Sequence, residues 1–308
     1  MEIKEAEISK DTTELSLQSV EKVLDKNTIL IIASAPSFPY GTIDPIEDLA
    51  VLAYAHGIFL HVDACLGGFL IPFVRNGWVR EEETAGFWPK GVSSISCDPH
   101  KYGYTPKGCS VLLWRNTQLR HFQYSYLTDW SGGVYATPTI CGSRPGFPAV
   151  AAWATLRFYG KNKYKALADE IVSVTRLIAE ELPLAIPELY VIGRVDLSVV
   201  AFAVCDKCFP LNIFDIADEM KNIPQRHWHL NILQNPAAVH LAVTGANLNF
   251  AKRYFIADLR QAVNLALAKQ QIGSSDTAAF YGASAQAPIE LLDEFAALFL
   301  DASYDLAI

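Results

Sequence analysis

Ser94-Ile95-Ser96-Cys97-Asp98-Pro99-His100-Lys101-Tyr102-Gly103 joins a short apolar run to a cluster of charged and polar side chains. The run, Val92 to Ser96, has the length of a strand, and Pro99 punctuates the loop that follows. Upstream, Ile58 to Val62 is a second such run and leads into His61-Val62-Asp63-Ala64-Cys65. Thr28 to Ser34 is a third, and it reads as a buried strand feeding the loop Ala35-Pro36-Ser37-Phe38-Pro39. Asp44-Pro45 starts a helix in between, with Ile46, Leu49, Ala50 and Ala53 at helical spacing and Gly57 closing it. Cys109 to Trp114 is a fourth strand. Strand, helix and strand in short succession predict an α/β fold, a parallel or mixed sheet covered by helices. Ligands of such sheets gather beyond the carboxyl ends of the strands. Asp63 and Asp98 to Lys101 both fall there, and neighbouring strands would bring them to one rim.

From about Phe147 the character changes. Ala149 to Glu181 is Ala-rich and helical in pattern, interrupted by Gly160. Beyond Pro183, Leu189 to Ile192, Val199 to Val204 and Val239 to Thr244 read as strands. Ile213 to Lys221, Ala251 to Ala268 and Ile289 to Leu300 read as helices. The expected division is therefore a large domain over 1–155 and a smaller α+β domain over 156–308, hinged on the long helix. Gly273-Ser274-Ser275-Asp276 has the composition of a flexible linker. Residues 1–27 are polar and charged and predict a short lead-in helix.

The chain has 308 residues, 51% of them hydrophobic and 19% charged, which is globular rather than disordered. A formal net charge of −8 and the lack of a dense Lys/Arg run argue against general nucleic-acid binding. No apolar run approaches the roughly 20 residues that span a bilayer. Six cysteines are scattered along the chain and no secretory signal stands at Met1, which reads as reduced thiols in a cytosol-like compartment. Cys205-Asp206-Lys207-Cys208 lacks a second pair, so loop thiols are favoured over zinc. His227-Trp228-His229 has no suitably spaced carboxylate or cysteine beside it, and no metal site is expected.

A lysine just past one strand end and an aspartate at the end of another are what pyridoxal phosphate chemistry requires. The amine condenses with the cofactor aldehyde, and the carboxylate keeps a proton on the pyridine nitrogen. Lys101 follows its strand without a charged neighbourhood, and desolvation is expected to lower its amine pKa. Asp63, ionised, would stabilise a cationic ring nitrogen. His100 is a candidate neighbour of the cofactor or a structural loop histidine. Lys107, between Pro106 and Gly108, is either a surface charge or an acid/base and phosphate contact. Asp129 to Tyr135, with Gly132 and Gly133, and Cys141 to Gly146, with Ser143 and Arg144, offer backbone amides, a hydroxyl and a guanidinium that suit a phosphate.

These segments together resemble the sphingosine-1-phosphate lyase family, in the group II decarboxylase branch of fold-type-I pyridoxal phosphate enzymes. The likeness rests on Phe38 to Pro45, His61 to Phe69, Ser94 to Gly108, Thr128 to Thr139, Gly142 to Gly146 and Phe280 to Ala285. It is dense before residue 160 and looser afterwards. The resemblance implies a fold-type-I, mostly parallel sheet with a smaller α+β domain after it. It implies Lys101 as the cofactor-anchoring lysine and Asp63 as the partner of the ring nitrogen. Lys107 and Ser143 would lie near the substrate phosphate, with Tyr135 and Arg144 as further substrate contacts. The loop carrying Gly132, Gly133 and Tyr135 would contribute across a homodimer interface.

The implied reaction is a retro-aldol cleavage of a phosphorylated sphingoid base to phosphoethanolamine and a long-chain aldehyde. An amino-acid decarboxylase of the same branch, and a catalytically silent fragment that only dimerises, are the competing readings. The family's catalytic domain starts before the part matched here, with a Gly-rich phosphate loop and a ring-stacking histidine; nothing before Thr28 looks like either. The large domain is therefore expected to be incomplete, leaving sheet edge exposed. The resemblance implies an endoplasmic-reticulum membrane anchor in eukaryotic members; this chain is expected to lack it and to lie on the cytoplasmic side.

Overall fold

A computed structural model describes residues 1–74, 89–205, 211–269, 271–284 and 287–304. Asp206, Lys207 and Cys208 of the CxxC segment lie outside the described residues. The chain divides into two compact units, one formed by 1–177 with 192–199 and 243–248, the other by 178–191, 200–242 and 249–308. The boundary expected at residue 155 falls inside a helix.

The first unit opens with α1 (Leu17–Val23), capped by the Ser16 hydroxyl accepting from the Ser19 amide. The predicted lead-in helix is thus confined to seven residues, and the segment before it makes a bridge between Ile8 and Leu15. Asp44 explains that path. Its carboxylate accepts from the Leu15 amide at 3.0 Å and from the Ser34 amide at 2.7 Å, tying the lead-in to a strand end. Burial pushes the Asp44 carboxyl up in spite of those two donors.

The sheet of this unit holds β1 (Leu30–Ser34), β2 (Phe59–Asp63), β3 (Ser94–Cys97) and β4 (Val111–Trp114) in that order, with α2 (Ile46–His56) between β1 and β2. The first three are parallel and β4 runs antiparallel to β3. Helix α2 buries Ile46, Leu49, Ala50 and Ala53, the positions that the helical spacing marks, and ends on Gly57 in the left-handed region at φ 66°. Its side of the sheet is dry: Ile31, Ala33, Leu60, Val62 and Ile95 are buried. Contrary to the buried strand expected at β1, the other side is open, and Ile32 is 62% exposed. An apolar run marks two faces that can be buried; α2 covers one of them.

Next come α3 (Thr117–Arg120), the hairpin β5 (Ser125–Leu127) and β6 (Tyr135–Thr137), and α4 (Phe147–Ala185). Gly160 breaks α4 at φ 64° and ψ 166°, a combination essentially confined to glycine. Before the break Phe147, Val150, Trp153 and Phe158 are exposed; after it Ile171, Val172, Ile178 and Leu182 are buried.

The second unit is built on β7 (Leu189–Val191), β8 (Val199–Val204), β9 (Asn231–Leu233) and β10 (Ala238–Ala242), ordered β7-β8-β10-β9. Helices α5 (Ile213–Asn222), α6 (Leu248–Leu267), α7 (Asp276–Ser284) and α8 (Ile289–Tyr304) complete it. Phe255 on α6 is fully buried, edge-on to both Phe202 and Trp228. The segment expected as a linker is instead pinned: buried Asp215 on α5 accepts from the Gly273 amide at 2.6 Å and the Ser275 amide at 3.1 Å. Among the described residues no helix is long and apolar enough to cross a membrane.

Candidate active site

Parallel pairing of β2 and β3 sets Asp63 opposite Ser96, so both strands deliver their carboxyl ends to one rim. Asp63 Oδ1 accepts from the Ser96 hydroxyl at 3.0 Å and from the Cys65 amide at 2.9 Å. Burial alone would raise this carboxyl. The Cys65 amide and side chain and the Ser96 hydroxyl outweigh it and hold Asp63 below the usual carboxylate range, hence charged at neutral pH. His61, on the same face of β2, meets the Ser94 hydroxyl through Nδ1 at 2.8 Å, and burial lowers its pKa.

Lys101 reaches the same rim from the loop after β3. Its ammonium is 3.1 Å from Asp98 Oδ2, and the Cys65 side chain lies near enough to act on its charge. Cys65 thereby adjoins both the Asp63 carboxylate, to which its amide donates, and the Lys101 amine. The residues flanking Lys101 are fixed by buried tyrosines. The Tyr102 hydroxyl donates to the Val243 carbonyl at 2.9 Å, and that of Tyr164 to the Gly103 carbonyl at 2.7 Å. The expected uncharged setting of Lys101 is corrected by this geometry. Burial does lower the amine's pKa, but Cys65 and Asp98 together reverse it and leave Lys101 raised, firmly protonated at rest.

Asp98 is the hub that sequence reading missed, although it lies one helical turn before Lys101. Besides the lysine it accepts from the Ser110 hydroxyl at 2.5 Å and lies 3.6 Å from His100 Nε2. His100 turns its Nδ1 to the Cys109 carbonyl, so in this structure it braces the loop against the segment before β4. An amine must lose its proton before it attacks an aldehyde, so capture of pyridoxal phosphate should rise with pH. We expect Asp98→Asn to move that rise to lower pH and speed capture at neutral pH about fivefold, the worth of a partly exposed ion pair near 1 kcal/mol. Stopped-flow absorbance across a pH series measures it.

The remaining predicted residues sit elsewhere. Lys107 is exposed on the turn closed by Gly108 at φ 91°. Gly132 and Gly133 form the exposed end of the β5–β6 hairpin, and Tyr135 begins β6. Ser143 and Arg144 lie exposed in the loop before α4. Among the described residues, no hydrogen bond or ion pair links any of these to Asp63, Asp98 or Lys101. No group of three or more His, Cys, Asp or Glu that could hold a metal occurs among them either.

A family profile described as "Pyridoxal-dependent decarboxylase conserved domain" matches residues 2–205. The chain is 39% identical over 290 residues to a sphingosine-1-phosphate lyase of Arabidopsis thaliana, covering 94% of this chain and 51% of that protein. It is 37% identical over 300 residues to sphingosine-1-phosphate lyase 1 of Rattus norvegicus, covering 96% and 51%. The chain thus spans about half the length of these relatives. Among solved structures, a sphingosine-1-phosphate lyase of Burkholderia pseudomallei superposes with a TM-score of 0.80 at 36% identity, covering 97% of this chain and 62% of that one. A glutamate decarboxylase of Lactobacillus brevis, at 20% identity and a TM-score of 0.71, shares the fold. With that profile matched across both strands of the rim, the Lys101 loop and the whole parallel sheet, the chain belongs to the pyridoxal-dependent decarboxylase family.

Proposed function

We propose that this chain carries the cofactor-anchoring part of a carbon–carbon lyase that splits phosphorylated sphingoid bases into phosphoethanolamine and a long-chain aldehyde. One observation carries the reading: a charged Asp63 and the Lys101 amine, held by Asp98, stand at the carboxyl ends of the neighbouring strands β2 and β3, in a chain similar to sphingosine-1-phosphate lyases over nearly all its length. The residues present fit pyridoxal phosphate. Lys101 would anchor its aldehyde and Asp63 would face its ring nitrogen. When bound, the cofactor supplies an electron-withdrawing ring that takes up the electron pair of the broken bond.

The chain's own residues do the rest. Asp63, held charged, keeps a proton at the ring nitrogen. Asp98 holds the Lys101 amine in place before the cofactor arrives. The C3 hydroxyl of the substrate must lose a proton and C2 must gain one, and we assign that transfer to Lys107. Tyr135, Ser143 and Arg144 offer hydroxyls and a guanidinium for the substrate phosphate. Gly132 and Gly133 would present backbone amides to a partner subunit's site in a homodimer. The exposed Ile140, Phe147, Val150, Trp153 and Phe158 support such an interface. Five described cysteines are free thiols, which supports a reducing, cytoplasm-facing compartment.

The test is product analysis. Chain loaded with pyridoxal phosphate and given sphinganine 1-phosphate should release long-chain aldehyde and phosphoethanolamine in equal amounts. Carbon dioxide from glutamate or an aromatic amino acid, without aldehyde, would replace the lyase with a decarboxylase. Lys107→Ala is expected to slow cleavage about 10²- to 10⁴-fold while cofactor capture is unchanged, since it removes a proton-transfer group only.

A further inference from the structure

Strands β2 and β3 meet side chain to side chain in a repeated pattern. β2 carries His61 and Asp63 on one face, and β3 carries Ser94 and Ser96 in register opposite them. Each serine hydroxyl crosses the gap: Ser94 meets His61 Nδ1 at 2.8 Å, and Ser96 donates to Asp63 Oδ1 at 3.0 Å. The second rung is held firmly by the main chain. Ser96 is paired on both sides, with Asp63 of β2 and with Leu112 of β4. The Ala64 amide donates to the Ser96 carbonyl at 3.0 Å, and the Ala35 amide to the Asp63 carbonyl at 2.7 Å. Main-chain bonding thus runs on past both side chains, and a group on a strand so anchored is placed more precisely than one on a loop.

The two oxygens of Asp63 are used unequally. The Cys65 amide, at 2.9 Å, and the Ser96 hydroxyl, at 3.0 Å, both donate to Oδ1. The amide bond is a local turn that an aspartate makes with its own chain two residues on. By itself it leaves the carboxylate free to swing about the Cβ–Cγ bond, whose torsional wells are broad. The hydroxyl from the neighbouring strand removes that freedom and leaves Oδ2 as the oxygen to accept from a ligand. We infer that Ser96 is a positioning residue for the cofactor's ring: it holds Oδ1 so that Oδ2 is presented to the ring nitrogen. The inference rests on the reading of Asp63 as partner of that nitrogen, and Ser96 acts through Asp63 alone.

Ser96→Thr and Ser96→Val form the test pair, because they share a shape, both suit a strand, and they differ in one hydroxyl. The ionisable groups that act on Asp63 are His61 on its own strand and Cys65 in the turn after it, with Lys101 beyond Cys65, and both variants keep them. Without cofactor, carbon-13 NMR of the aspartate carboxyls across a pH series should show the Asp63 titration moved up, toward the ordinary carboxylate range, in Ser96→Val and left in place in Ser96→Thr. With pyridoxal phosphate carrying nitrogen-15 in its ring, Ser96→Val should move the ring signal toward that of unprotonated pyridine and weaken cofactor retention about tenfold, while Ser96→Thr keeps both. Ser94→Ala removes the hydroxyl of the other rung and should leave the Asp63 titration and the ring signal unmoved. Melting curves confirm that each variant is folded. An Asp63 titration or a ring signal that is the same in Ser96→Val and Ser96→Thr overturns the proposal, as does a change in Ser94→Ala as large as that in Ser96→Val. A folded chain that takes up no pyridoxal phosphate, with the two titrations still apart, refutes the cofactor reading and not the hold of Ser96 on Asp63.

Discussion

Lys101→Ala should abolish covalent capture of pyridoxal phosphate and lower any cleavage by at least about 10³-fold, since the anchoring amine has no substitute at the rim. Borohydride reduction of the loaded chain, followed by peptide mapping, should place the trapped cofactor on Lys101 alone. An absorbance band near about 420 nm should vanish with the substitution. Asp98→Asn serves as the contrast, because it frees the same amine instead of removing it. Trapping on Lys107 or another lysine in the unaltered chain would overturn the assignment of the rim.

Phe255→Ala should cost about 3 to 5 kcal/mol, the loss expected for a large aromatic deleted from a packed core. Phe255 is fully buried, edge-on to Phe202 at 6.2 Å and to Trp228 at 5.2 Å between ring centroids. Truncation removes both contacts at once, and the edge-to-face geometry adds to simple burial. Urea titration followed by tryptophan fluorescence should show an earlier transition, with Trp228 as a reporter inside the second unit. A change below about 1 kcal/mol would mean that the β8–α6 packing collapses to fill the space.

The sequence made the rim legible because its signals are local. Pro45, Gly57 and the helical spacing between them delimit α2, and the ends of two apolar runs locate Asp63 and Lys101. The misreadings share a cause: each depended on a neighbour that spacing does not reveal. Lys101 looked desolvated until the loop folded Asp98 and Cys65 onto its amine. Gly273 to Asp276 has a linker's composition, yet a carboxylate far back in the chain, Asp215, holds its amides. The apolar run at β1 encodes two buried faces, and the structure of one chain supplies a cover for one. Lys107, Tyr135, Ser143 and Arg144 matched a pattern of residue types, but their placement depends on loops whose surroundings a single chain does not determine.

Gly160 carries a consequence of another kind. An added β-carbon there would meet nothing within 4 Å, so volume is not what excludes a side chain. The torsions exclude it, because φ 64° with ψ 166° is open to glycine and closed to L-amino acids. The bend in α4 is thus a constraint of handedness: a mirror-image alanine would satisfy it, while the smallest natural side chain would have to straighten or retwist the rod.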